Sequence, residues 1–148
     1  MNHWIIAPLI LPAFVAAFLV LALSHDLKRQ RLVSTAATVL LLGTAAGLFL
    51  LASDGTTRVY LLGNWPAPFG IVMVLDRLSA LMLLVTAVLA LAVVVFACGG
   101  WDAKGRYFHA LFQFQLMGIC GAFLTGDVFN LFVFFEVMLI ASYGLMLH

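Results

Sequence analysis

Charge is what this sequence has least of. Only 9% of its 148 residues are Asp, Glu, Lys or Arg, where an ordinary soluble domain carries about 25%. A globule of that length could not clothe its surface with so few polar groups. Seven Lys/Arg and six Asp/Glu leave a formal +1, with no basic footprint of the kind nucleic acid requires. The two cysteines, Cys98 and Cys120, form no CxxC pair. They read as small buried hydrophobes rather than a disulfide or metal pair, and they say little about redox compartment. GxGxxG, a P-loop, paired haem histidines, a cysteine cluster and a Ser–His–Asp set are all missing. The expectation is therefore no nucleotide, no cofactor, no metal, no redox centre, and a role other than an enzyme's. Internal repeats, low-complexity tracts and a soluble domain are absent too.

What is present is apolar. Hydrophobic residues make up 66% of the chain, against roughly 45–50% in soluble proteins, and lipid is the solvent that suits this composition. Apolar runs lie near 4–23, 32–52, 71–97, 108–124 and 128–147. Each approaches the roughly 20 residues needed to cross a hydrocarbon core about 30 Å thick. The expected fold is an all-α polytopic membrane protein of about five transmembrane helices, with residues 1–148 forming one membrane unit. The first run has no positive region before it, and its charges, Lys28, Arg29 and Arg31, come afterwards. It reads as a retained helix and not as a signal peptide.

Lys and Arg set the orientation. Residues 24–31 hold three and residues 98–107 hold Lys104 and Arg106, while the opposite side holds only Arg58 and Arg77. The positive-inside rule then puts the N-terminus outside and His148 in the cytoplasm. The longest loop, 53–70, reads as an outer cap, with a short strand over 58–62, turns at Gly63-Asn64 and at 66–68, and Tyr60 and Trp65 as interface anchors. The chain stops at the lip of its last apolar run, which suggests a fragment of a longer protein.

One residue does not belong in its run. Glu136 lies eight residues into the fifth run, about 12 Å from its outer end at a rise of 1.5 Å per residue. An acid facing lipid there costs on the order of 3 kcal/mol, so Glu136 is expected to be buried against protein or a wet cavity. Either it is protonated, or it is charged and paired with a base. No basic residue of this sequence lies at that depth, so a partner must come from elsewhere. An acid that exchanges between those states is a proton-relay element; the plain alternative is a structural acid bonded to a neighbouring helix. Phe129, Phe132, Val133, Leu139, Ile140 and Tyr143 share its helix face.

Lesser candidates lie in the other polar positions. Asp127 opens the fifth helix, where capping competes with a role in ion entry, and it points away from Glu136. His109 stands one turn before Gln113, near Gln115, either as a proton-passing group or as an interhelical hydrogen-bond partner. Asp76 and Arg77 sit in the first turns of the third helix in a structural role. Gly118, Gly121, Ala141, Ser142 and Gly144 are small enough to let helices approach closely.

These residues resemble a known family. The run 121–144, GAFLTGDVFNLFVFFEVMLIASYG, is similar to the fourth-to-fifth helix segment of the D subunits of Mrp-type multisubunit Na+/H+ antiporters. So are 60–71 (YLLGNWPAPFGI), 76–82 (DRLSALM) and 109–118 (HALFQFQLMG), so that the resemblance covers essentially all of residues 50–148. The turn Asp followed by Phe-Phe-Glu also occurs in antiporter-like membrane subunits of respiratory complex I and membrane-bound hydrogenases. The resemblance implies a multi-pass protein of the bacterial cell (inner) membrane, working with other antiporter subunits and carrying protons and Na+. It implies that Glu136 is an ion-translocation residue paired with a Lys on a broken seventh helix. A full-length member of the family has about fourteen helices with inverted repeats, and the broken helix and its Lys lie beyond this sequence. The competing expectations are a membrane-arm component of an NADH:quinone oxidoreductase or hydrogenase, and a truncated segment that only packs or assembles.

Overall fold

The computed structural model describes residues 3–65 and 69–147; the turn expected at 66–68 and the expected side of His148 lie outside the described residues. A 3-10 turn at His3–Ile6 leads into helix α1, Ala7–Ala22. Pro8 falls in the first turn of α1, where a missing N–H costs nothing. Helix α2 runs Leu27–Ala52. Its apolar run begins at Leu32, but the helix starts five residues earlier because the Asp26 carboxylate caps it, accepting the Arg29 N–H at 3.2 Å. Lys28, Arg29 and Arg31 therefore lie on a helix and not in a loop.

The third apolar run divides. Residues Val72–Leu75 form strand β2, antiparallel to β1 (Arg58–Leu61), with Tyr60 opposite Met73. Helix α3 begins only at Arg77 and continues to Ala97. Hydropathy cannot separate a short apolar strand from the helix it joins, and the boundary lies in polar chemistry. Asp76 accepts the Ser79 N–H at 2.7 Å while the Ser79 hydroxyl accepts the Asp76 N–H at 2.9 Å, a reciprocal capping box. The strand expected over 58–62 is present as β1. Helices α4 (Phe108–Leu124) and α5 (Val128–Met146) match their apolar runs.

Among the described residues, four segments are long and apolar enough to cross a membrane: His3–Ala22, Leu27–Ala52, Arg77–Ala97 and Val128–Met146. Helix α4 is apolar but shorter, at 17 residues. α4 packs against both α1 and α5, while α2 packs against α3. Leu41, Ala45 and Leu48 of α2, Leu83, Ala87 and Val94 of α3, and Leu116, Cys120 and Leu124 of α4 form the core at helical spacing. α5 is peripheral, with Ala141 its buried residue.

Polar contacts gather the loops at two ends. At one, the His3 ring lies 3.1 Å from the Tyr60 hydroxyl, and Gly126 donates its N–H to the Val72 carbonyl at 2.8 Å. That bond ties the α4–α5 turn to the hairpin. At the other end, the Arg106 guanidinium donates to the Ser24 carbonyl at 3.0 Å, joining the α1–α2 and α3–α4 connections.

Candidate functional site

Glu136 is not buried within this chain. It is exposed on α5, as are Phe129, Phe132, Val133, Leu139, Ile140 and Tyr143 around it. The cause is geometric. α5 meets α4 through Phe134 and Met138, which lie over Gly121 and Gly118. Glu136 is two residues from each, and two residues turn a helix by about 200°. The acid thus faces away from the four-helix core. Any burial of Glu136 requires protein beyond the described residues.

Asp127 is the N-cap of α5. Its carboxylate accepts the Asn130 backbone N–H at 2.8 Å and contacts the Asn130 side-chain amide. Those bonds satisfy helix donors that would otherwise be free.

His109 sits in a buried polar cluster at the opposite end of the molecule. Asp102, on the short 3-10 turn Trp101–Lys104, and His109, in the first turn of α4, are both fully buried. The Arg31 guanidinium of α2 donates to both Asp102 oxygens, at 2.6 and 2.7 Å. Nε2 of His109 lies 3.0 Å from the Asp102 oxygen that takes the Nε–H of Arg31. Arg31 is the chief cause holding the Asp102 carboxyl below the ordinary range; burial opposes it and the His109 bond adds to it. A carboxylate only accepts, so neutral His109 donates from Nε2 and carries its lone pair on Nδ1. That Nδ1 is buried and has no hydrogen-bond partner among the described residues.

The cluster continues inward. One turn along α4, the buried Gln113 amide donates to the Ser34 hydroxyl at 3.1 Å and contacts the Thr38 hydroxyl at 3.3 Å. Thr38 in turn donates to the Ser34 carbonyl at 2.8 Å. Cys98, Asp102 and His109 present donor atoms within 4.8 Å of one another. That spacing alone would admit a cation. Arg31 already supplies positive charge to both Asp102 oxygens, however, and the group is built as an ion-pair network.

Reading along the chain singled out His109 and overlooked Arg31 and Asp102. The available signal was spacing. Arg31, Ser34 and Thr38 share one face of α2, as His109 and Gln113 do on α4.

A bundle of apolar helices, four of those described long enough to cross a membrane, defines the class as a multi-pass membrane protein. Known proteins make the class specific. The chain is 50% identical over its whole length to a probable K+/H+ antiporter D subunit of Rhizobium meliloti. It is 41% identical over 97% of its length to the Na+/H+ antiporter D subunit of Alkalihalophilus pseudofirmus, and 37% identical over 98% to that of Bacillus subtilis. The chain spans 28–30% of the length of these relatives. A chain of the Mrp complex from Dietzia sp. DQ12-45-1b superposes with a TM-score of 0.91 at 36% identity, over 99% of this chain and 28% of that one. A chain of an archaeal membrane-bound sulfane sulfur reductase superposes at 0.84 with 27% identity, over 95% of this chain and 29% of that one. No protein-family profile matches. The chain is a homologue, along its full length, of the D subunits of Mrp-type multisubunit cation/proton antiporters.

Proposed function

We propose that these residues are the N-terminal part of a membrane subunit of a monovalent cation/proton antiporter in the bacterial cell (inner) membrane, with Glu136 as its proton relay. The full-length homology to antiporter D subunits carries this reading. Na+ is the proposed cation on the names of two of those relatives, and the name of the 50% identical one makes K+ the second reading. Other subunits of the complex, together with the rest of the same polypeptide, cover α5. That accounts for an acid placed on an otherwise apolar, uncovered face. A base contributed from beyond this sequence alternately pairs with Glu136 and leaves it, so that the carboxyl takes and releases a proton. Asp127 serves as a cap.

Helix α4 is read as a fifth crossing, since its two ends join the two opposite loop clusters. The excess of Lys and Arg near residues 24–31 and 98–107 supports a cytoplasmic position for that side, with the N-terminus and the β1–β2 hairpin outside. A respiratory membrane-arm role is favoured by one observation, the likeness to the sulfane sulfur reductase chain. In that setting too, proton movement and not redox chemistry is the task of this segment.

The test restores the full-length protein with its partners in everted vesicles and compares wild type with E136Q. The expected result is loss of Na+- or K+-triggered ΔpH collapse in a complex that assembles normally. Unchanged exchange in E136Q would reduce the acid to a structural hydrogen bond and remove the proposed relay.

A further inference from the structure

We infer that the buried Arg31–Asp102–His109 cluster is a second protonatable site, in which His109 loads and unloads a proton through Nδ1 on the side of the α3–α4 connection. Its place in a transport cycle rests on the antiporter reading above; its chemistry does not.

Three observations carry the inference. The first is the bare acceptor. Arg31 fixes Asp102 as a carboxylate, Asp102 fixes the Nε2–H of His109, and the remaining nitrogen is left with a lone pair and no donor among the described residues. A buried acceptor without a partner is destabilising, and a proton or a water-borne hydrogen bond removes that cost. The second is the charge around the ring. Asp102 faces it from the α3–α4 connection, Arg31 from α2, and the Cys98 thiol from the end of α3. Arg31 and Asp102 neutralise each other, so the neutral imidazole rests in a balanced site. The Asp102 oxygen is already in place to hold an imidazolium, at 3.0 Å. The third is access. A pocket of about 160 Å³, lined by Ser24, His25, Gln30, Gly105 and Arg106, reaches the cluster at Asp102, one side chain short of His109. Inward lies the row of Gln113, Ser34 and Thr38, whose amide and hydroxyls lie among otherwise apolar helix faces.

The step balances simply. A hydronium donates to Nδ1: one O–H bond breaks, one N–H bond forms, a water is left, and the ring gains one positive charge beside Asp102. Release breaks that same bond. Because Nε2–H stays on Asp102 throughout, no tautomer exchange is required. The site holds a proton; it does not pass one through the ring.

The test uses the full-length protein in its complex and has two arms. In the first, deuterium exchange at the imidazole C2 of His109, followed by mass spectrometry across pH, reports its titration. The expected result is a sigmoidal change of exchange rate with pH, the mark of a titrating imidazole. D102N should move that change to lower pH, since the counter-charge is lost while Arg31 remains. In the second, H109Q, which keeps an amide donor for Asp102 but cannot titrate, is assayed for cation-triggered ΔpH collapse in everted vesicles. The expected result is a rate lower by about a hundredfold, the lower end of the range for loss of one proton-transfer group. The pH profile should also lose its histidine limb. A His109 that stays neutral from pH 5 to 9 overturns the proposal, as does an H109Q profile identical to wild type. Should wild-type vesicles show no cation-triggered exchange at all, the antiporter reading fails, and the C2 titration still decides whether His109 loads a proton.

Discussion

Asp76 shows how one carboxylate decides where a helix starts. The Ser79 backbone N–H first, and then the Ser79 hydroxyl, hold its carboxyl below the ordinary range against an opposing effect of burial. A group depressed in the folded state stabilises above its unfolded value, near pH 3.9 for Asp, and that contribution disappears as pH falls through the lower folded value. D76A is therefore expected to cost about 1 kcal/mol at pH 7, the usual worth of an N-cap. The gap to wild type should begin to narrow below about pH 4 and close as pH falls through the lower folded value, and thermal unfolding of the detergent-solubilised protein across that range measures it. A gap that persists in acid would mean the capping bonds do not depend on the charge. Glu136, by contrast, draws its meaning from what covers it.

At the scale of elements, the α4–α5 pair is the informative joint. A Cβ added at Gly118 would stand 2.6 Å from Cγ of Met138, and one at Gly121 would run into the Phe134 ring. The two glycines let α5 lie close on α4, as small residues do between membrane helices. G118A and G121A are each expected to cost about 1–3 kcal/mol through overpacking, read as a lower Tm and reduced recovery of assembled complex. Wild-type stability in both would show that α5 has room to shift. The small-residue pattern was legible along the chain; that it meets Phe134 and Met138, and so turns Glu136 outward, was not. The β1–β2 hairpin makes the same point. Its first strand is readable from Arg58 to Leu61, but its second was merged with α3, because Val72–Leu75 and the helix are equally apolar.

For the whole molecule, the two loop clusters give the proposed orientation a direct test. Thr57 lies in the connection leading into β1 and Lys104 on the Trp101–Lys104 turn, both exposed and at opposite ends. With Cys98 and Cys120 replaced, T57C is expected to react with a membrane-impermeant maleimide in intact cells. K104C should react only in everted vesicles. The reverse pattern would invert the orientation, and with it the side from which His109 is loaded.

The sequence by itself determined that this chain lives in lipid, where its apolar segments fall, and that Glu136 is the misfit among them. Transfer into a membrane is close to a sum over residues, so composition and spacing carry it. Only the tertiary structure decided that Glu136 points away from the other four helices. Only it brought Arg31 to Asp102 across 71 positions and Gln113 to Ser34 across 79. Such meetings depend on which helix faces pack together, and that is set by the shapes of all the contacting side chains at once.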